Sequence, residues 1–180
     1  MNLPNSLTVL RVFLIPFFIF FACQASKTAS LIAASIFVIA SLTDILDGYF
    51  ARRRSEVTPL GKILDPIADK LLIISALILL VGEGRVPSWM AILIVGREFV
   101  VTGFRAVSAS MGVIIAAEAA GKYKMFLQIS GIVFLLLDFL SVSFSKLGLG
   151  LLFVSMLLAI YSALQYFMKF WKGVDWVKAK

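Results

Sequence analysis

Residues 30–50 read SLIAASIFVIASLTDILDGYF. The first fourteen positions carry no charge, and the carboxylates of Asp44 and Asp47 then appear near the end. Twenty-one helical residues span about 30 Å, the thickness of a bilayer's hydrocarbon layer. The next apolar stretch, residues 60–81, reads LGKILDPIADKLLIISALILLV and is the mirror case, with Asp65 and Asp69 near its start. Two apolar segments thus meet at a short polar connection, each carrying two acids at the end nearest the other. That reading decides the fold: helices that cross a membrane, with their acids gathered at one face.

The composition agrees. Apolar side chains make up 61% of the 180 residues and charged ones 15%, against about half and a quarter in soluble domains. Disorder and a disulfide scaffold are excluded, since the chain has one cysteine, Cys23, whose apolar surroundings predict a packing role. There is no histidine, which excludes imidazole catalysis and histidine-rich metal sites. Six stretches are apolar enough to cross hydrocarbon as helices: 7–23, 30–50, 60–81, 88–107, 123–140 and 149–170. With no repeats or linkers, the expected architecture is an all-α membrane protein, residues 1–180 forming a single bundle of six transmembrane helices. A cleaved signal peptide is not expected, because no basic region precedes the first stretch.

The net charge of +7 fits cytoplasmic loops and anionic lipid head groups, with no nucleic-acid partner. Arg11, Arg52, Arg53, Arg54, Lys62, Arg105, Lys122, Lys124, Lys169, Lys172, Lys178 and Lys180 fall at the N-terminus, connections 2–3 and 4–5, and the C-terminus; only Lys27, Arg85 and Lys146 fall in the other connections. The positive-inside rule then places both termini in the cytoplasm. Thr8 and Arg11, three apart near the cytoplasmic start of the first helix, are compatible with interfacial anchoring. Trp171, Lys172, Trp176 and Lys178 read as an anchor of the same kind. Asp138, at the far end of the fifth helix, is expected to be interfacial and not catalytic.

Asp44 and Asp47 share one helix face, and Asp65 and Asp69 share another. Four close carboxylates cannot all stay ionised without a cation among them. With oxygen donors only, hard divalent ions such as Mg²⁺ or Mn²⁺ fit better than zinc on thiolates. A pair of such ions suits in-line displacement at phosphorus. The small residues Gly48, Ala51 and Gly61 would let a ligand approach the backbone; close helix packing is the competing account of them. The competing accounts of the aspartates are a solvated loop and an ion-transport relay, and that of Arg52 is a basic loop attracted to anionic lipid.

The run Asp44-x2-Asp47-Gly48-x2-Ala51-Arg52-x8-Gly61-x3-Asp65-x3-Asp69 resembles the signature of the CDP-alcohol phosphatidyltransferase family position for position. The resemblance implies transfer of a phosphatidyl group from a CDP-linked lipid to an alcohol, with release of CMP. It implies two divalent metal ions held by Asp44, Asp47, Asp65 and Asp69, with Asp69 also the general base. It also implies CDP-lipid contacts from Gly48, Ala51, Arg52 and Gly61, and a homodimer in a bacterial cell membrane with its active site facing the cytoplasm.

The signature leaves the acceptor open. Arg97 and Arg105 lie roughly on one face of the fourth helix, and Lys122 and Lys124 open the fifth. Such cations suit an acceptor that bears its own phosphate; the competing account is an internal ion-pair network for Arg97 with Glu98, and topology alone for the others. The opening residues 1–11, the run 97–105 and Gly121-Lys122-x-Lys124-x3-Gln128 are similar to the bacterial branch that uses sn-glycerol 3-phosphate as acceptor and CDP-diacylglycerol as donor. Met125 departs from that branch, where threonine is common. An inositol phosphate acceptor is the nearest alternative within the family. A metal-regulated transporter is the alternative from another class.

Overall fold

Each apolar stretch becomes a helix, and the polar residues flanking it extend that helix. The computed structural model describes residues 3–54, 59–112 and 119–173. Within its helices, the side chains at 3–8, 44–54, 59–66, 69, 119–122 and 172–173 lie outside the described residues. The elements are α1 (Leu3–Ala22), α2 (Lys27–Arg54), α3 (Pro59–Gly82), α4 (Ser88–Ser110), α5 (Ala119–Leu136), a 3₁₀ turn (Asp138–Leu140) and α6 (Val142–Gly173), with no strand among the described residues. The described residues are therefore organised in helices, six α-helices in the order expected.

Packing follows the apolar stripes. Arg11, Ile15, Phe18 and Ala22 recur on one buried face of α1, and Ala33, Phe37 and Ala40 on one face of α2. The alanines let α1 and α2 approach closely, and Phe18 meets Phe37 with ring centroids 5.6 Å apart. α1 packs on both α2 and α3, α5 touches α2 and α3 while packing along α6, and α4 rests on α3 and α6. The outside of the bundle is as apolar as its inside: Phe13 is 65% exposed, Ile92 68% and Phe126 69%. A water-facing surface rarely carries such a display, whereas lipid tails accept it. Among the described residues, Val142–Trp171 alone is long and apolar enough to cross a membrane by itself; Val9–Ala22, Lys27–Thr43, Lys70–Gly82 and Tyr123–Leu136 are shorter apolar segments.

The seam between α5 and α6 depends on two glycines. A Cβ on Gly148 would stand 2.7 Å from Leu135 Cγ and 2.9 Å from the Gly131 carbonyl oxygen, and one on Gly131 would stand 3.0 Å from the Gly148 carbonyl oxygen. The backbones thus cross with no room for a methyl group, the small-residue contact by which helices associate in lipid.

Four details depart from the sequence reading. The fifth helix, expected to reach residue 140, ends at Leu136, and the chain turns through the 3₁₀ segment to an extended Ser141 (φ −164°, ψ 142°). There Ser141 Oγ accepts the backbone N–H of Ser143 at 3.2 Å and caps α6, which starts seven residues early because Ser143, Ser145 and Lys146 mask its first turns from a hydropathy reading. At the same turn, and without bearing on the reading of Asp138 as interfacial, its carboxylate lies 3.2 Å from Arg85 Nη1, which also donates to the Leu135 carbonyl at 2.9 Å, while Arg85 Nε lies 3.0 Å from Glu83. Gly84, at φ +71°, allows this by closing α3: its N–H donates to the Val81 carbonyl and that of Arg85 to the Leu80 carbonyl. Arg11, expected at the head groups, is buried at 1% exposure, and Cys23, expected to pack, is exposed at the end of α1.

The glycine seam makes a controlled prediction. Gly148→Ala should destabilise the protein by about 1–3 kcal/mol, as overpacking does. Gly150→Ala, where a Cβ meets nothing within 4 Å, should leave stability unchanged or slightly raised. Thermal unfolding of both variants in the same detergent checks this; equal midpoints would remove the close crossing from the account.

Candidate active site

Asp44 and Asp47 fall in the C-terminal half of α2, and Asp65 and Asp69 in the N-terminal half of α3. Helical geometry puts the two members of each pair about 4.5 and 6 Å apart along their axes and on one face. The connection from Arg54 to Pro59 bounds the separation of the facing helix ends at about 18 Å. The side chains of Asp44, Asp47, Asp65 and Asp69 lie outside the described residues, as do those of Gly48, Ala51, Arg52, Gly61 and Lys122. Among the described residues, no group of three or more His, Cys, Asp or Glu is placed to hold a metal. The donor set is tested by its chemistry instead. Four carboxylates at helical spacing, in a chain without histidine and with its one cysteine at the end of α1, form an oxygen-only set that fits hard divalent ions.

The cations of the other half are described more fully. Arg97 lies on α4, where its Nε donates to the Ala159 carbonyl at 2.9 Å, its Nη2 to Ser162 Oγ at 3.3 Å and its Nη1 to Glu98 Oε1 at 2.9 Å. Lys124 Nζ reaches the same Glu98 oxygen from α5. Ser155 Oγ of α6 donates to the Lys124 carbonyl at 3.1 Å, which holds the lysine's backbone as well. The Glu98 carboxylate therefore ties α4 to α5, and Arg97 and the Lys124 carbonyl tie both to α6; the side chains of Arg97, Glu98 and Lys124 are only 10%, 21% and 9% exposed. One turn along α5, Gln128 is buried, and its Nε2 has no acceptor among the described residues.

Arg105 is exposed two turns beyond Arg97, with its guanidinium carbon 5.7 Å from the centroid of the Tyr166 ring. Tyr166 is itself fixed: its hydroxyl donates to Ser108 Oγ at 3.3 Å, and Ser108 Oγ donates to the Phe104 carbonyl at 2.7 Å. The arrangement brings Arg97 and Lys124 together and leaves Arg105 separately supported. Glu98, Ser155, Ser162 and Tyr166 are members of this region that the sequence reading did not place in the site. The signals for them were an acid inside an apolar helix, and two serines seven apart on one face of α6.

At the opposite end of the bundle, a cavity of about 450 Å³ opens beside the Arg85 cluster, lined by Gln24, Ser26, Lys27, Glu83 and Arg85 among others. Its arginine is already paired with Glu83 and Asp138.

Residues 1–167 match the CDP-alcohol phosphatidyltransferase family, and the chain belongs to that family. Curated relatives run over nearly its whole length. A CDP-diacylglycerol–glycerol-3-phosphate 3-phosphatidyltransferase of Bacillus subtilis is 42% identical, over 96% of this chain and 97% of its own. Proteins of the same name from Pseudomonas fluorescens and Rickettsia felis are 39% and 36% identical, covering 95% and 99% of this chain and 91% and 94% of their own.

The locked geometry of Arg97 predicts that Arg97→Lys will be destabilised, since an ammonium cannot reproduce the three-way planar fork. Hydrogen bonds to charged groups contribute about 1.5–3 kcal/mol each, so the loss should exceed that of Ser162→Ala. Unfolding midpoints measured on both proteins check the order; an unchanged midpoint for Arg97→Lys would contradict the three-helix tie.

Proposed function

We propose that this chain is a membrane-embedded enzyme that makes phosphatidylglycerol phosphate and CMP from CDP-diacylglycerol and sn-glycerol 3-phosphate. The observation that carries the reading is the unbroken aspartate signature, split between the facing halves of two consecutive helices in a member of this family. The relatives' printed names support the donor and the acceptor. The buried Arg97–Lys124 pair supplies the positive charge that a phosphorylated acceptor requires. Topology follows from the charge distribution: six crossings, both termini and the aspartates on the cytoplasmic side of a bacterial cell membrane, and Lys27, Arg85 and Lys146 outside. The working unit is read as a homodimer, as the family resemblance implies.

In the reaction, an acceptor hydroxyl oxygen attacks the phosphorus that bears diacylglycerol. A new P–O bond forms, the pyrophosphate P–O bond breaks, and CMP leaves with the bridging oxygen. Asp69 takes the hydroxyl proton. Asp44, Asp47, Asp65 and Asp69 would hold two divalent ions, Mg²⁺ or Mn²⁺, which supply charge neutralisation at the phosphates. Gly48, Ala51 and Gly61 keep the helix ends open to the CDP-lipid, and Arg52 meets its phosphates. Arg97, Arg105, Lys122 and Lys124 receive the acceptor phosphate.

Asn at position 44, 47 or 65 should abolish CMP release and weaken divalent-ion binding, because an amide replaces a carboxylate poorly. Asp69→Asn should instead retain CDP-lipid binding and lose about 10²–10⁴-fold in rate. Measuring ion binding, lipid binding and turnover on each purified variant separates the roles. Wild-type turnover from all four would sink the assignment.

A further inference from the structure

We infer that Glu98 is the positioning residue of the acceptor-phosphate pocket: it holds the Lys124 ammonium and the Arg97 guanidinium at one point before the acceptor arrives. This rests on the reading of those cations as the acceptor's phosphate site. A carboxylate in a pocket for an anion is paradoxical by charge alone, because it repels the ligand. Its geometry resolves the paradox. Glu98 Oε1 accepts from Arg97 Nη1 at 2.9 Å and is shared with Lys124 Nζ, which arrives from a different helix. Two cations this close repel each other, and a carboxylate between them removes that repulsion. Lysine has a flexible four-carbon stem whose ordering costs entropy, so an ammonium held in advance loses less when it binds phosphate.

Arg97 and Lys124 are anchored to α6 by different groups. The arginine is bonded twice to α6, through the Ala159 carbonyl and Ser162. The lysine is held by α6 through its backbone, at Ser155; Glu98 is what ties its side chain to the arginine. Removing the carboxylate's charge should therefore weaken the contact that sets the ammonium beside Arg97 and leave Arg97 bound to α6.

Two accounts of Glu98 predict opposite signs. If it acted only as a negative charge, Glu98→Gln would lower the KM for glycerol 3-phosphate by easing repulsion. If it positions Lys124, the KM should rise by about tenfold or more, the scale of one charge-assisted contact. The KM for CDP-diacylglycerol should change less than about twofold, a split that general loosening of the fold does not produce.

The experiment is steady-state CMP release by the purified full-length protein, varying glycerol 3-phosphate and CDP-diacylglycerol separately. The variants are Glu98→Gln, Lys124→Met and the double substitution. Glu98→Asp, which keeps the charge but shortens the reach, serves if Glu98→Gln does not fold, and should raise the same KM. The expected result is that Lys124→Met and Glu98→Gln each raise the acceptor KM and that the double variant is no worse than Lys124→Met alone. A lowered or unchanged acceptor KM in the folded Glu98 variant would overturn the inference, as would defects that multiply in the double variant. In both cases a raised KM in Lys124→Met would leave the pocket itself standing. If Lys124→Met left the acceptor KM unchanged, or wild type released no CMP in response to glycerol 3-phosphate, the acceptor reading would fall and this inference with it.

Discussion

A charge carried inside an apolar bundle must find its counter-charge within the protein. Burying an ion costs several kcal/mol unless it is paired and hydrogen-bonded. The architecture of this chain is arranged around that constraint. Glu98 ties α4 and α5 at one carboxylate, while Arg97 and the Lys124 carbonyl are bonded to α6. Near the other end, Arg85 joins the turn after α3 to the end of α5 through Asp138 and the Leu135 carbonyl. Between these clusters most buried side chains are apolar, with Arg11 on α1 the charged exception among the described residues.

This division separates two kinds of chemistry. The half built from α1, α2 and α3 carries the aspartate signature, and the half built from α4, α5 and α6 carries Arg97, Arg105 and Lys124. α5 is the link, because it packs against α2 and α3 as well as along α6. The Gly131–Gly148 crossing lets α5 and α6 approach until no methyl group would fit between them, and the Ser155 contact with Lys124 lies on that same pair of helices. Packing and site geometry are thus coupled along a single seam.

Much of this was legible in the sequence because hydropathy and charge act over whole helices. The order and approximate extent of all six helices follow from apolar runs. Their ends do not, since Ser143, Ser145 and Lys146 are polar residues within a helix, and the turn at Asp138 depends on a partner fifty-three residues away in Arg85. The aspartate signature was readable because its spacing is local. The ion pair of Glu98 with Arg97 was readable as the competing account of Arg97, but its second partner was not, because Lys124 arrives from another helix. Arg11 illustrates the same limit: its place near a predicted cytoplasmic end suggests the interface, yet tertiary packing buries it. Tyr166 likewise gains its role only when α6 brings it beneath Arg105.

The most direct test of the central claim is an acceptor panel on the purified protein, reading CMP release with CDP-diacylglycerol as donor and divalent ion present. The panel holds glycerol 3-phosphate, inositol phosphate, glycerol, serine and water alone. The account predicts CMP release that requires the lipid donor and saturates with glycerol 3-phosphate, accompanied by formation of phosphatidylglycerol phosphate. Release driven by inositol phosphate in its place would contradict the acceptor, and solute flux through proteoliposomes without any CMP release would contradict the enzyme.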